Sequence, residues 1–262
     1  MPKPAFGMLL LALLAPASPI AAQQDAVPVA TDTTPATHHP AQVMWYHVAG
    51  AVGGLGLLSL ADKEIKTWTV EHRGTTAQDV ANTWQRWGEG TIPVAITLGT
   101  LGTGLALGKP GVTRTGGRLA TSLVVVTLLG RGIKKAVGRA RPSEGADQYT
   151  FDPFGTFNAF PSGHTLAGFA VSTTLADAID NRWADIGLYT LAAGTGVSRV
   201  IGNHHWTSDV VAGGLLGMTV AKVVDGRWRI FGLNPPEFLA DPRGGELRWT
   251  VDVPALRGAA RR

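Results

Sequence analysis

Six apolar stretches, at about 43–61, 91–108, 117–130, 164–179, 184–202 and 210–224, recur along the chain with polar runs between them. Their lengths and small-residue content predict helices, and no stretch sustains the apolar–polar alternation of a half-buried strand. Residues 64–90 add helical stretches such as "TTAQDVANTWQRWG", with Asp79 near its start and Gly88 at its end. "KPGVTRTGG" (109–117) reads as a turn and "DNRWAD" (180–185) as a short connection. From 225 onward Pro and Gly punctuate a tail in which "ELRWTVDV" predicts an isolated strand. The pattern predicts an all-α fold, a helical bundle of about six helices.

Whether these helices cross a membrane depends on where the charges fall. A span needs about 20 apolar residues. Arg118 and Arg131 leave twelve uncharged residues between them, Asp185 and Arg199 thirteen, and Asp209 and Lys222 twelve. Such lengths suit buried core helices, unless the flanking charges lie inside the bundle. Segments 43–61 and 91–108 are long enough to cross, and Trp45, Trp183, Trp206 and Trp228 lie near segment ends, as an interfacial belt would.

The chain starts "MPKPAFGMLLLALLAPASPIAAQQD", with Lys3, a ten-residue apolar run from Phe6 to Ala15 and small residues before Gln23. This is the layout of a secretory signal cut near Ala22 and is too short to span a bilayer; a short uncleaved anchor is the alternative. Either places the protein outside the cytoplasm, in the periplasm or cell envelope. A cleaved signal puts the mature N-terminus outside, so three spans would leave residues 131–163 in the cytoplasm. An exported site there fits no spans, or an even number before it. A soluble or peripheral protein and an integral one both stay open, and membrane contact is expected.

Composition narrows the partners. The 262 residues suit one sizeable domain with an export segment and tails. The expected organisation is a signal peptide at 1–22, a flexible Pro/Thr/Ala-rich lead at 23–42, a helical domain at 43–224 with its core at about 90–224, and a tail at 225–262. Only 16% of residues are charged, which points to extensive burial or membrane contact. The net charge of +4 makes no case for nucleic acid, and the absence of cysteine excludes disulfides and thiolate metal sites.

Three stretches carry chemistry: "KKAVGRARP" (134–142), "PSGHT" (161–165) and "SRVIGNHHWTSD" (198–209). Each lies at the end of an apolar segment, and an antiparallel bundle would gather them on one side. Lys134, Arg141 and Arg199 are then three converging cations, which need an anion; a phosphate fits, and arginine binds it bidentately. Ser162 and the Gly163 N–H add neutral donors at the start of the helix opened by Pro161, and glycine admits a ligand close to the backbone. Ser162 is equally a good helix cap. His164 and His205 offer a nucleophile and an acid. Asp209, four residues after His205, can share its helical face and fix the imidazole tautomer. Together these make a phosphoryl-transfer site that needs no metal or other cofactor.

Lys134–x6–Arg141–Pro142, Pro161-Ser162-Gly163-His164 and Ser198-Arg199–x5–His205–x3–Asp209 resemble the three-part signature of the type 2 phosphatidic acid phosphatase (PAP2) superfamily, in order and spacing, over about residues 90–224. That superfamily includes lipid phosphate phosphatases, undecaprenyl pyrophosphate phosphatases, bacterial acid phosphatases and vanadium haloperoxidases. The resemblance implies that His205 attacks phosphorus and forms a phosphohistidine, that Asp209 orients it, and that His164 protonates the leaving group and then activates water. It implies that Lys134, Arg141, Ser162, Gly163 and Arg199 bind the phosphoryl oxygens. The x5 spacing from Arg199 selects His205 over His204.

Each motif alone has a plainer reading: a basic loop end, a helix cap, a chance His–x3–Asp. The joint pattern favours function. His38, His39, His47 and His72 have no partners in sequence and read as surface or packing residues. The glycine runs at 50–56 and 99–108 lack the strand and the Lys-Ser/Thr ending of a nucleotide loop, so close helix packing explains them better. Lys135 and Arg139 flank the first motif as added field or as a solvated basic face. The expected protein is a hydrolase acting on a phosphate monoester or pyrophosphate, a lipid phosphate first. A soluble non-specific acid phosphatase, vanadate-dependent halide oxidation and a catalytically silent phospholipid-binding or structural membrane protein are the alternatives.

Overall fold

Capping and turn residues decide where the helices start and stop. The structure, a computed structural model, describes residues 40–231, 237–241 and 244–248. The expected signal peptide, the lead up to residue 39 and the histidines 38 and 39 lie outside the described residues. Helices α1 (Trp45–Leu60) and α2 (Asp62–His72) meet at Ala61, which caps both. Then come α3 (Thr75–Trp84), a tight 3₁₀ turn at Gln85–Gly88, and α4 (Thr91–Ala106). Helix α5 (Pro110–Val137) is the longest at 28 residues, a rise of about 42 Å. A loop with a 3₁₀ turn at Pro142–Glu144 leads to α6 (Gly163–Ile179), α7 (Arg182–Ile201) and α8 (Thr207–Val224). Asn181 caps α7, its side chain accepting from the N–H groups of Trp183 and Ala184.

The bundle is all-α in its body. Six helices correspond to the six apolar stretches, and α2 and α3 come from residues 62–84, so eight α-helices stand among the described residues. The turn expected at 109–117 is instead the first part of α5. Pro110 sits at N1, where its missing N–H costs nothing, and Gly116 packs against the Leu101 backbone. Strand content is slight: β1 (Ala41–Val43) pairs in parallel with β2 (Trp228–Ile230), so the expected flexible lead is ordered at its end. β3 (Glu237–Asp241) and β4 (Gly244–Arg248) form an antiparallel hairpin. The strand expected in "ELRWTVDV" thus begins two residues early and is paired; residues 249–253 lie outside the described residues.

The core sits where α5, α6 and α8 meet, around Val126, Leu166, Ala170, Val220 and Val224. Helices α6 and α8 approach until backbones touch: a Cβ on Gly213 would stand 2.6 Å from the Ser162 carbonyl oxygen, and one on Gly217 would collide with that of Leu166. Close packing does not explain the run at 50–56. A Cβ on Gly50, Gly53, Gly54 or Gly56 meets nothing within 4 Å.

Charges inside α5 correct the length argument. Arg118 lies within the helix, its Nε 3.8 Å from Asp225 Oδ1, so it does not mark a helix end. By length and composition one helix among the described residues, Thr207–Val224, suits a membrane span, and 56% of it is buried inside the bundle. The outer faces are strongly apolar. Helix α1 has no buried residue, yet exposes Trp45, Val52, Leu57 and Leu60; α4 exposes Val94 and Leu98, α5 Val124 and Leu128, and α7 Trp183 and Ile186. Of the four tryptophans expected in a belt, Trp45 (68% exposed) and Trp183 (76%) face outward, Trp228 is half-buried and Trp206 is buried at 2%.

The α6–α8 contact sets an expectation for stability. Gly217→Ala should cost about 1–3 kcal/mol through overpacking, whereas Gly54→Ala should be neutral or gain up to about 1 kcal/mol from helix propensity. Chemical denaturation of both variants checks the contrast; equal stabilities would contradict the packing described.

Candidate active site

Four helix ends converge to build the site. At the end of α5, Gly138 takes a left-handed φ of 55° and donates its N–H to the Lys134 carbonyl, 2.9 Å. A side chain there would strike the Asp152 backbone, so glycine allows the chain to turn inward. Lys134 is left one turn before the helix end and Arg141 just past it. Both use Asn158: Lys134 Nζ donates to its carbonyl and Arg141 Nε to its Oδ1 at 3.0 Å.

At the start of α6, Ser162 occupies the cap position but not the capping role. Its hydroxyl accepts from Thr165 Oγ1 at 3.0 Å, and no side chain caps the helix. Its own N–H donates to the Asp209 carbonyl, 2.9 Å, which ties α6 to α8. Gly163 is exposed, and Lys134 Cε is the nearest atom to its missing side chain at 3.9 Å. The uncapped first turn thus presents its N–H groups beside an ammonium. His164 follows, half-buried, with the charges of Arg199 and Arg141 and the rings of His205 and His204 around it.

The end of α7 supplies Arg199, buried, with Nη1 donating to Gln85 Oε1 at 2.6 Å. Its carbonyl accepts from the N–H groups of His204 (3.0 Å) and His205 (3.3 Å), which shapes the loop into α8. Asp209 lies in the first turn of α8. Its Oδ2 accepts from the Trp206 N–H at 2.9 Å and stands 3.6 Å from His205 Nδ1, beyond hydrogen-bond distance, and that buried Nδ1 has no hydrogen-bond partner among the described residues. Burial pushes the His205 pKa down to about 4, against the pull of Asp209 and with help from Lys134 and Arg141, so the ring is neutral at ordinary pH.

All eight sequence-predicted residues therefore stand at one end of the bundle. None of the ion pairs among the described residues includes Lys134, Arg141 or Arg199: their partners are a carbonyl and two amide side chains. Their charge is left for an anion. Lys135 stays on the surface, reaching the Gly155 carbonyl at 2.9 Å. Arg139 is not a solvated basic residue. It is 3% exposed and bonded to Asp209 and Asp62. The sequence reading also missed Asp62, Gln85 and Asn158; only Arg139 carried a signal, its place inside the first motif.

Parts of the chain are similar to known proteins. Residues 115–227 match the sequence model of the PAP2 superfamily, and the three motifs of the site lie within the matched residues. The lipid A 1-phosphatase of Porphyromonas gingivalis is 39% identical over 89 residues, 32% of this chain and 20% of that protein. The lipid A 1-phosphatase of Rhizobium etli is 35% identical over 105 residues, 37% of this chain and 44% of that protein. The chain thus spans less than half the length of these curated relatives. In fold it is similar to the transmembrane PAP2-type phosphatidylglycerolphosphate phosphatase of Bacillus subtilis, with a TM-score of 0.55 and 19% identity, over 69% of this chain and 95% of that one. Aquifex aeolicus LpxE gives a TM-score of 0.50 and 18% identity, over 62% and 93%.

The neutral His205 has a pH consequence. Its folded pKa, about 4, lies below the ordinary 6.5, so the unfolded chain binds more protons between these values. The residue's contribution to stability is then lost as pH falls from 6.5 towards 4. Denaturant unfolding across that window should show wild type losing more stability than His205→Gln; parallel curves would contradict the burial assigned to the ring.

Proposed function

We propose that this chain is a phosphoric ester hydrolase that cleaves a phosphate monoester or pyrophosphate carried on a lipid, through a phosphohistidine at His205. One observation carries the reading. A buried, neutral imidazole backed by a carboxylate faces the same bundle end as three cations that no carboxylate pairs. His205 Nε2 attacks phosphorus while the bond to the leaving oxygen breaks, and His164 gives that oxygen a proton. His164 then takes a proton from water, the water oxygen attacks phosphorus, and the P–N bond breaks to free phosphate and the imidazole. Lys134, Arg141, Arg199 and the first-turn N–H groups at Gly163 hold the phosphoryl oxygens and offset charge that grows in the transition state, with Ser162 shaping that turn. The positive charge comes from side chains, which supports a reaction without a metal ion.

Two observations support a lipid as the carrier. Exposed Trp, Leu and Val on α1, α4, α5 and α7 make outer faces that hydrocarbon solvates better than water. The relatives named above carry the name lipid A 1-phosphatase, a phosphatase of a lipid, which supports the class proposed. The same faces weigh against the soluble acid phosphatase and favour a membrane-embedded bundle in the cell envelope.

The test is phosphate release in chelator from a lipid phosphate, an isoprenoid pyrophosphate and an aryl phosphate. Release from the lipids is expected, with loss of at least about a thousandfold in His205→Ala and an unchanged helical spectrum. His164→Ala should suffer least on the aryl phosphate, whose leaving group needs no proton. Near-normal turnover in His205→Ala would overturn the phosphohistidine; release from the aryl phosphate alone would overturn the lipid.

A further inference from the structure

The reaction proposed above uses neither Asp62 nor Arg139, yet both are buried directly behind its nucleophile. Arg139 Nη1 donates to Asp209 Oδ1 at 2.7 Å and to Ser208 Oγ at 2.7 Å. Its Nη2 donates to Asp62 Oδ2 at 2.8 Å and its Nε to the Gln148 carbonyl at 2.9 Å. The rings of Phe151 and Trp206 flank the guanidinium, 5.8 and 5.5 Å from their centroids. Asp62 in turn accepts the Ser208 N–H on Oδ1 at 2.9 Å and the Ser208 hydroxyl on Oδ2. Every one of these groups is tied on two sides or more.

Stability alone is a poor reason for this arrangement. Three charges taken out of water are costly, and well-packed apolar residues in their place are often as stable or more so. What the cluster does control is the carboxylate that faces His205. With Oδ1 of Asp209 held by Arg139 and Oδ2 held by the Trp206 N–H, the carboxylate is fixed with Oδ2 at 3.6 Å from His205 Nδ1, a buried atom with no hydrogen-bond partner of its own among the described residues. Lys134 and Arg141 are the cations that act on the His205 imidazole, and an unpinned Asp209 carboxylate would be drawn towards them.

We propose that Asp62, Arg139 and Ser208 are positioning residues that lock the Asp209 carboxylate onto His205 Nδ1, so that Nδ1 carries the ring proton and Nε2 is free to attack. Asp62 lies outside the superfamily segment, at the start of α2, so a helix pair upstream of that segment sets the tautomer of its nucleophile. The consequence for turnover rests on the phosphohistidine reading; the tautomer itself does not.

The experiment is ring nitrogen-15 spectroscopy of histidine-labelled full-length protein in detergent at pH 7. The His205 signals are assigned by their loss in His205→Gln, and phosphate release is measured alongside. Wild type should show His205 protonated at Nδ1. Asp62→Asn keeps the size but turns an amide towards Arg139, and Ser208→Ala removes the hydroxyl while keeping its N–H on Asp62. Both should populate the Nε2-protonated tautomer, with kcat down about tenfold to a hundredfold and KM within about twofold of wild type. Asp62→Glu should recover part of the rate. A wild-type tautomer and rate in both variants, with only the melting temperature lowered, would overturn the proposal and leave a structural bolt. Should Asp62→Asn not fold, Ser208→Ala decides alone. Should wild type release no phosphate, the phosphohistidine reading fails by itself and the tautomer shift still decides this one.

Discussion

A guanidinium buried between two carboxylates has little freedom to move, because each partner it leaves becomes an unpaired charge out of water. Arg139 is in that position, and the end of the bundle that carries the candidate site is registered on it. The residue follows the last turn of α5; its partners open α2 and α8. Backbone bonds extend the registration, from the Ser162 N–H to the Asp209 carbonyl for α6 and from the His205 N–H to the Arg199 carbonyl for α7. Five helix ends are thus located relative to one side chain. Helix packing alone, which tolerates shifts of the order of a methyl group, would not place them as closely.

Around this fixed point the polar groups divide their work. The cations that face the proposed phosphate are held by neutral acceptors, Asn158 and Gln85, and so keep their charge. The cation behind His205, Arg139, is held by carboxylates and fixes the position of Asp209. The imidazole between the two layers is neutral because burial outweighs the pull of Asp209. A neutral imidazole with a free lone pair and a group of cations can then stand at the same end of the bundle.

Much of this was legible in the chain. Six apolar stretches marked six helices, since a run such as 164–179 is long and rich in small residues, and an antiparallel arrangement of them gathers "KKAVGRARP", "PSGHT" and "SRVIGNHHWTSD". Three kinds of information were not local. Pro110 and the glycines at 116 and 117 look like a turn until a neighbouring helix is there to receive them. Arg118 looks like a helix boundary until Asp225 is seen beside it. Asp62 sits in "SLADKE" with nothing to distinguish it from a surface acid, because its meaning is given by Ser208, 146 positions away. Arg139 was visible inside its motif but ambiguous, as any arginine is until its burial is known. Ser162 misled in the opposite sense: its residue type suits a cap, and tertiary contact redirected its hydroxyl to Thr165.

Helix α5 acts as a ruler. Its 28 residues rise about 42 Å, while the hydrocarbon of a bilayer is about 30 Å thick. If the bundle is embedded in a membrane as proposed, an upright α5 would overshoot the acyl layer, and Lys134, three residues from its end, would stand above the boundary at the level of the head groups. The height of a phosphate over the acyl chains then becomes a criterion of recognition in its own right. A lipid with its phosphate close to the glycerol and one that lifts it on a sugar would be told apart by elevation before any head-group atom is touched.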